Sequence, residues 1–518
     1  MRAMMVCVAW MLSSVIGASA SLAQQPREAE LPEPPTEFRA LWVATVANID
    51  WPSVRGMPVP QMRAEMNDIL DTAARTGYNA IVLQVRPAAD VLYPSAYEPW
   101  SEFLTGKCGR PPRDVDGSDY DPLAEWIAGA HARGLELHAW FNPFRCRHKD
   151  ARTGPSAGHV INKRPDIAHE YGEYWWMDPG HPDARAQTLN VMREVVRNYD
   201  VDGVHIDDYF YPYPERNMPF PDDAMWNQYV ATGGTLGRDD WRRDNMNNLV
   251  RDMYQMVKRE KSWVKVGISP FGFYRPDHPK GVRGFDQYER LYADARLWWR
   301  EGWMDYCSPQ LYWETTAPGQ PFVPILQWWV RENQTGRHLW PGLSLSRVSA
   351  TPGEGRTPAM PAEQMRIIER SPGTDGYVKF SMVALMQDRQ GLQQAMTAAN
   401  GPRAIVPEST WLDVPAGAMP PAVSLNVRAA GGDSGVAVWW PEGSTHTAGL
   451  NHDGTRQWIV WKRYGDAQTG AWRVGVLPPE PRSVGVRMTS DGKPLTAMAV
   501  RAVGVAGKQG PIAWWAAE

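Results

Sequence analysis

Residues 201–212 read Val-Asp-Gly-Val-His-Ile-Asp-Asp-Tyr-Phe-Tyr-Pro. Val204 and Ile206 fall on one face of an alternating segment, His205 and Asp207 on the other. The segment then ends in two adjacent carboxylates, three aromatics and a proline. That is how a buried strand delivers acids into a pocket lined by flat rings. Paired acids beside rings suit carbohydrate chemistry: carboxyl groups handle the glycosidic oxygen and C1, and rings stack on sugar faces.

The segment sits in a repeating cycle. Helical spacing of apolar residues predicts helices over 61–76, 123–133, 182–199, 241–261, 286–301, 321–332, 361–370 and 389–399. Apolar runs predict strands over 38–48, 78–85, 135–141, 203–207, 264–268, 304–312, 339–345 and 377–380. Eight strands alternating with helices over roughly 360 residues fit an α/β fold, a (β/α)8 TIM barrel. A doubly wound sheet is the alternative, but no Gly-rich dinucleotide loop follows an early strand. In a barrel, polar residues at the C-terminal ends of strands converge on one site. Here those ends are polar and aromatic together: Asn48-Ile49-Asp50-Trp51, Gln84-Val85-Arg86, His138-Ala139-Trp140-Phe141-Asn142, Asp207-Asp208-Tyr209, and Gln310-Leu311-Tyr312-Trp313-Glu314.

Past Gly401 the pattern changes. Pro and Gly concentrate up to residue 421, and short alternating segments separated by turn residues follow, as in an antiparallel β-sandwich of fibronectin type III kind. At the other end, Met1-Arg2, an apolar stretch to Ile16 and small residues to Ala23 form an export-signal pattern. The expected organisation is therefore a signal peptide over 1–23, a linker over 24–37, the barrel over 38–400, a second linker over 401–421 and the sandwich over 422–518. Export implies a periplasmic or secreted protein.

Composition narrows the classes further. A chain of 518 residues that is 43% hydrophobic has ample core for two domains. A formal net charge of −4 with no long basic run gives no footprint for nucleic acid. The 26 tryptophans are an excess that raises the odds of stacking platforms for sugars. Past the signal region three cysteines remain, Cys108, Cys146 and Cys307, an odd number that excludes a purely intrachain disulfide framework. A bridge between Cys108 and Cys146 is compatible with their loop positions, and Cys307 reads as a buried thiol.

Among candidate catalytic residues Asp207 leads, with Asp208 as a substrate or supporting ligand, since adjacent strand residues point to opposite faces unless the strand has ended. Glycoside cleavage calls for a second carboxyl group, about 5–5.5 Å away for retention and about 6.5–9.5 Å for inversion. Glu314 and Asp90 are its candidates, with Asp50 as a third acid near the site. Arg86, His138, Asn142, His205 and Gln310 are candidate ligands for hydroxyl and acetamido groups. Trp140, Tyr209, Tyr211, Tyr312 and Trp313 are candidate stacking rings. No cofactor motif and no recognised metal-ligand spacing is present, so neither is expected. Two other readings stay open: a glycan-binding barrel that does not cleave, and a metal-dependent carbohydrate deacetylase using Asp207, Asp208, His138 and His205.

These segments, in this order, resemble the bacterial glycoside hydrolase-like 10 family. The likeness is carried by Phe38-Arg39-Ala40-Leu41-Trp42-Val43 with Asp50-Trp51-Pro52, by Gln84-Val85-Arg86-Pro87 with Asp90, by His138-Ala139-Trp140-Phe141-Asn142-Pro143, and by the run 202–212. Trp241-Arg242-Arg243-Asp244-Asn245, Ser269-Pro270-Phe271-Gly272 and Pro309-Gln310-Leu311-Tyr312-Trp313 continue it. The resemblance implies an exported barrel followed by a fibronectin-like domain. It also implies hydrolysis of the glycan backbone of peptidoglycan between N-acetylmuramic acid and N-acetylglucosamine, favouring strands stripped of stem peptides. Asp207 and Asp208 would then be the central acids, with Asp50, Asp90, Arg86 and His138 around them. The expected partner is a carbohydrate polymer.

Overall fold

The computed structural model describes residues 28–216, 218–442, 454–466 and 470–517. The expected signal peptide lies outside the described residues. No helix among them is long and apolar enough to cross a membrane.

Eight parallel strands close a barrel: β1 (Phe38–Val43), β2 (Ala80–Arg86), β3 (Glu136–Phe141), β4 (Gly203–Ile206), β5 (Lys265–Ile268), β6 (Tyr306–Cys307), β7 (His338–Leu339 and Gly342–Ser344) and β8 (Gly376–Phe380). β8 returns to β1, with Gly376 beside Phe38. β7 is split because Pro341 has no N–H to give a ladder. Its first part pairs with β6 and its second with β8. The ladder still runs through the break: Trp340 N donates to Cys307 O at 2.9 Å, Gly342 N to Pro309 O at 2.9 Å, and Val378 N to Pro341 O at 3.1 Å. Pro270 and Pro309 likewise shorten β5 and β6, so the strand expected over 304–312 is regular only at Tyr306–Cys307.

The helix expected over 286–301 is two, Gln287–Arg290 and Ala295–Arg300. Each has its own aspartate cap: Asp286 accepts from Glu289 N, and Asp294 from Leu297 N. Between β3 and β4 lies an insertion that the periodicity did not announce. It is a three-stranded antiparallel sheet of Arg145–Arg147, Tyr174–Met177 and Ala168–Tyr171.

Inside the barrel, apolar side chains from β1, β2, β3, β6, β7 and β8 (Phe38, Trp42, Val82, Trp140, Tyr306, Trp340 and Val378) form one cluster. Two glycines make room for the polar rings that thread it. A Cβ on Gly203 would lie 2.6 Å from His138 Nδ1, and one on Gly267 only 1.8 Å from Tyr306 Cζ. Gly267→Ala forces that ring out of a closed interior. It is expected to cost about 3 kcal/mol, seen as a lower urea midpoint; an unchanged midpoint would show that the interior has slack.

The C-terminal residues form two antiparallel sheets. One is Val423–Gly431, Ser434–Pro441 and Ser483–Arg487. The other is Ala471–Leu477, Gln457–Tyr464 and Lys493–Val503, with Gln509–Ala516 added at its edge. Trp439, Trp458, Val460, Met498 and Val500 fill their shared core. Rather than hanging free, the region is seated on the N-terminal face of the barrel. The stretch expected to be a linker is strapped there: Ala404, Ile405 and Val406 are buried, and Trp411 Nε1 donates to Asp305 Oδ1 at 2.8 Å. Arg456 reaches the turn before β4, giving Nε to Asp202 Oδ1 at 2.7 Å and Nη2 to Asp200 Oδ2 at 2.9 Å. Burial pushes the Asp202 carboxyl up, but Arg456, His131 and Lys265 outweigh it and hold it below the usual carboxylate range.

Candidate active site

At the opposite face, the C-terminal strand ends enclose a cavity of about 330 Å³. Trp42 and Ala44 come from β1, Gln84 from β2, and Trp140 from β3 with Arg145 and His148 just beyond it. The run after β4 supplies Asp207, Asp208, Tyr209 and Tyr213; Ser269, Gln310, Tyr312 and Phe380 complete the wall. The volume is at the small end of ligand pockets, and rings with a few polar groups are the usual lining of such a site.

Both acids enter this cavity because β4 ends at Ile206. Past that point strict face alternation no longer applies, and the two neighbours need not splay apart. Their surroundings differ. Asp207 Oδ2 accepts from Trp140 Nε1 at 3.0 Å, while Oδ1 is buried without a hydrogen-bond partner among the described residues. Burial, reinforced by the Asp208 charge, pushes Asp207 up to about 7; Arg145 and Trp140 oppose the shift. Asp208 is better supplied with donors. The Tyr213 hydroxyl donates to its Oδ2, and the Gln310 amide supports it too. Burial still raises its pKa. The pair is therefore an acid whose proton is held up to about neutral pH, with an unpartnered oxygen, beside a second carboxyl group that is supplied with donors.

Rings stand around them. Tyr209 packs edge-on to Tyr213 with centroids 5.9 Å apart, and Tyr312 lies over Phe380 at 6.2 Å. The Arg145 guanidinium sits 4.9 Å from the Tyr209 centroid. His148 is held down to about 4 by burial and by Arg145 beside it, so its imidazole is neutral at neutral pH.

Of the residues picked out in the sequence, Asp207, Asp208, Trp140, Tyr209, Gln310 and Tyr312 line the cavity. The others do not. Glu314 is drawn outward to Arg356, 3.0 Å away, and is half exposed. Asp90 accepts from Ala88 N and lines a separate, smaller cavity with Cys108, Cys146 and His159. All three cysteines are free thiols. Asp50 is tied to Ala44 N, Ser381 Oγ and Val383 N; burial raises it to about 6. Arg86 is spent on Glu98 at 2.5 Å and on the carbonyls of Asn142 and Pro143. Asn142 uses its side-chain oxygen on Arg145 N at 2.9 Å. Tyr211 packs between Phe220 and Tyr292, and Trp313 against Phe271 and Phe273.

His138 and His205 lie below the cavity, in a column of hydrogen bonds through the barrel interior. Trp42 Nε1, which can only donate, is 3.3 Å from His205 Nε2. His205 Nδ1 is 3.0 Å from Tyr306 Oη, which is 2.8 Å from His138 Nδ1. His138 Nε2 is 3.0 Å from Glu136 Oε2, and Glu136 is ion-paired to Lys265 at 2.7 Å. A donor-only indole at one end and a carboxylate acceptor at the other set every proton: His205 carries its hydrogen on Nδ1 and His138 on Nε2.

Sequence reasoning missed Arg145, His148 and Tyr213. Arg145 carried a usable signal: it follows a polar, aromatic strand end and has no Asp or Glu within four residues on either side. Among the described residues no group of three or more His, Cys, Asp or Glu side chains is placed to hold a metal ion.

Comparison with known proteins places the chain among glycosyl hydrolases. The family model described as glycosyl hydrolase-like 10 matches residues 37–354. Glycosyl hydrolase YngK of Bacillus subtilis (strain 168) is 39% identical over 387 residues, covering 73% of this chain and 74% of that protein. Glycosyl hydrolase DigH of Escherichia coli (strain K12) is 33% identical over 332 residues, covering 60% and 74%. Among solved structures, the glycoside hydrolase domain of PgaB (BpsB) from Bordetella bronchiseptica is 14% identical, covers 70% of this chain and 99% of that chain, and has a TM-score of 0.41. That superposition is too loose to bear on the reading. The match to the family model runs from the first barrel strand past the seventh and takes in both cavity acids; the chain belongs to the glycosyl hydrolase-like 10 family and is a glycosidase.

Proposed function

We infer that this glycosidase hydrolyses a bacterial cell-wall glycan of N-acetylated sugars, the N-acetylmuramic acid–N-acetylglucosamine backbone of peptidoglycan freed of stem peptides, outside the cytoplasm. The observation that carries the reading is that, among the described residues, the cavity's two carboxyl groups are sequence neighbours and no third lines it. A second carboxyl group facing Asp207 across the scissile bond is what Glu314 or Asp90 was expected to supply, and both lie elsewhere. The attacking atom then comes from the substrate, as in those glycosidases that use the sugar's own 2-acetamido group.

In this scheme neutral Asp207 gives its proton from the unpartnered Oδ1 to the glycosidic oxygen. The C1–O bond breaks, and its electron pair stays on the leaving sugar, which departs as an alcohol. The acetamido oxygen forms a bond to C1, giving a cyclic oxazolinium ion. The Asp208 carboxylate accepts the amide N–H and offsets the positive charge. Water then attacks C1 and gives its proton to the Asp207 carboxylate. The oxazoline C1–O bond breaks, the acetamide is restored, and the anomeric configuration is retained.

Isolated glycan strands with and without their N-acetyl groups test this. New reducing ends are expected from acetylated strands and at least a hundredfold fewer from chemically N-deacetylated ones. Equal cleavage of both would remove the acetamido step; cleavage of neither would remove the substrate. Because Asp207 must be protonated to act, kcat/KM is expected to fall as pH rises through about 7. A rate still climbing at pH 8 would assign the acid elsewhere.

A further inference from the structure

Arg145 is 3% exposed and lines the active-site cavity. Its Nε and Nη2 both donate to one carbonyl, that of Pro87, at 3.2 and 3.0 Å. Nη1 has no partner among the described residues, and no carboxylate among them is within ion-pairing distance. The other buried arginines of the barrel are all paired: Arg39 with Glu37, Arg86 with Glu98, Arg242 with Asp222, and Arg243 with Asp240. Isolating a buried cation is expensive, and such a charge is ordinarily matched by an anion. This one is also held in place. Asn142 Oδ1 fixes its backbone, and the Tyr209 ring lies 4.9 Å from its guanidinium carbon.

We propose that Arg145 completes its ion pair with the substrate, binding a carboxylate carried by the sugar that occupies the cavity beside Asp207 and Asp208. A planar guanidinium with an unused amino group suits a carboxylate and gains little from a neutral amide. Within the cell-wall glycan assigned above, on which this inference rests, the carboxylate is the lactyl group of muramic acid. That group is free only once the stem peptide has been removed; with the peptide attached it is a neutral amide on a bulky chain. Arg145 therefore makes the preference for stripped strands a matter of charge as well as room. Asp207 and Asp208 line the same cavity and feel the Arg145 charge, but neither is within ion-pairing distance of it.

The test uses the full chain on peptide-free glycan strands, before and after the lactyl carboxylates are converted to primary amides. The wild type is expected to lose roughly ten- to hundredfold in kcat/KM on amidation, the value of a charge-assisted hydrogen bond. Arg145→Gln is expected to lose a similar factor on the untreated strands and to treat both strands alike, whereas Arg145→Lys should keep part of the discrimination. A merely structural arginine would lower both rates together and leave their ratio intact, which would overturn the proposal. Equal cleavage of both strands by the wild type would overturn it while leaving the glycosidase reading standing. No cleavage of either would overturn the substrate itself, and cleavage only of an N-acetylhexosamine–hexuronate glycan would move the carboxylate off the lactyl group. If Arg145→Gln fails to fold, the wild-type comparison still decides.

Discussion

Asp207→Asn is expected to cut kcat by roughly 10²–10⁴-fold, the usual contribution of a positioned general acid, while making the protein harder to unfold in alkali. Asparagine keeps the shape and still accepts from Trp140 Nε1, but has no acidic proton to give the leaving sugar. The stability effect comes from the same burial. Asp207 titrates at about 7 in the fold, against 3.8 for an ordinary aspartate. Between those values the folded protein holds a proton that the unfolded chain has released. Stability therefore drops as pH rises from about 4 through about 7, by on the order of 4 kcal/mol at the upper limit. The asparagine variant has no such penalty. Its melting temperature should match the wild type near pH 4 and exceed it at pH 8. Destabilisation at both pH values would mean that the carboxyl group holds the fold together.

The largest stability loss is expected at the other end of the barrel. Arg456→Ala leaves Asp202 with His131 Nε2 and Leu137 N, each 2.8 Å from Oδ2, and without the guanidinium 2.7 Å from Oδ1. Breaking a buried pair from one side costs about 3–5 kcal/mol. Asp202 is held below the carboxylate range, so the loss should be full above about pH 4 and fade as acid protonates the group. Urea unfolding of Arg456→Ala, Asp202→Asn and the double variant should show coupling well above 1 kcal/mol. Coupling near zero would mark the contact as a solvated one. The same experiment tests whether the C-terminal sheets unfold together with the barrel they seat against.

Much of the barrel was legible because its signals are local. The apolar runs and their intervening helices carry their own periodicity, and the run 201–212 announces both its strand and its acids. Prolines at 270, 309 and 341 trimmed the strands without moving them. Side-chain depth was harder to read. His138 and His205 look like ligands by type, but His138 sits three residues before the end of β3, about 10 Å below the rim at 3.3 Å per residue. At that depth a polar ring must be satisfied by the barrel itself. Arg145 was overlooked for the converse reason: it follows the strand end by four residues and looked like a loop. Glu314 could not be placed at all, because the residue that draws it away, Arg356, lies 42 positions on. Such long-range pairings leave no periodic trace.

The hydrogen-bond column beneath the cavity behaves as an insulator. A proton moving down it from the reaction would have to charge His205, and burial with His138 nearby drives that imidazole well below its ordinary pKa. At its head stand an indole that cannot give up its hydrogen and the Ser269 hydroxyl, 3.2 Å from the same His205 nitrogen. In the proposed cycle a proton lent by Asp207 is therefore returned from the cavity rather than drained through a charged His205. The proposed catalytic cycle thus closes at one face of the barrel, with the incoming water that ends the reaction also resetting the acid for the next.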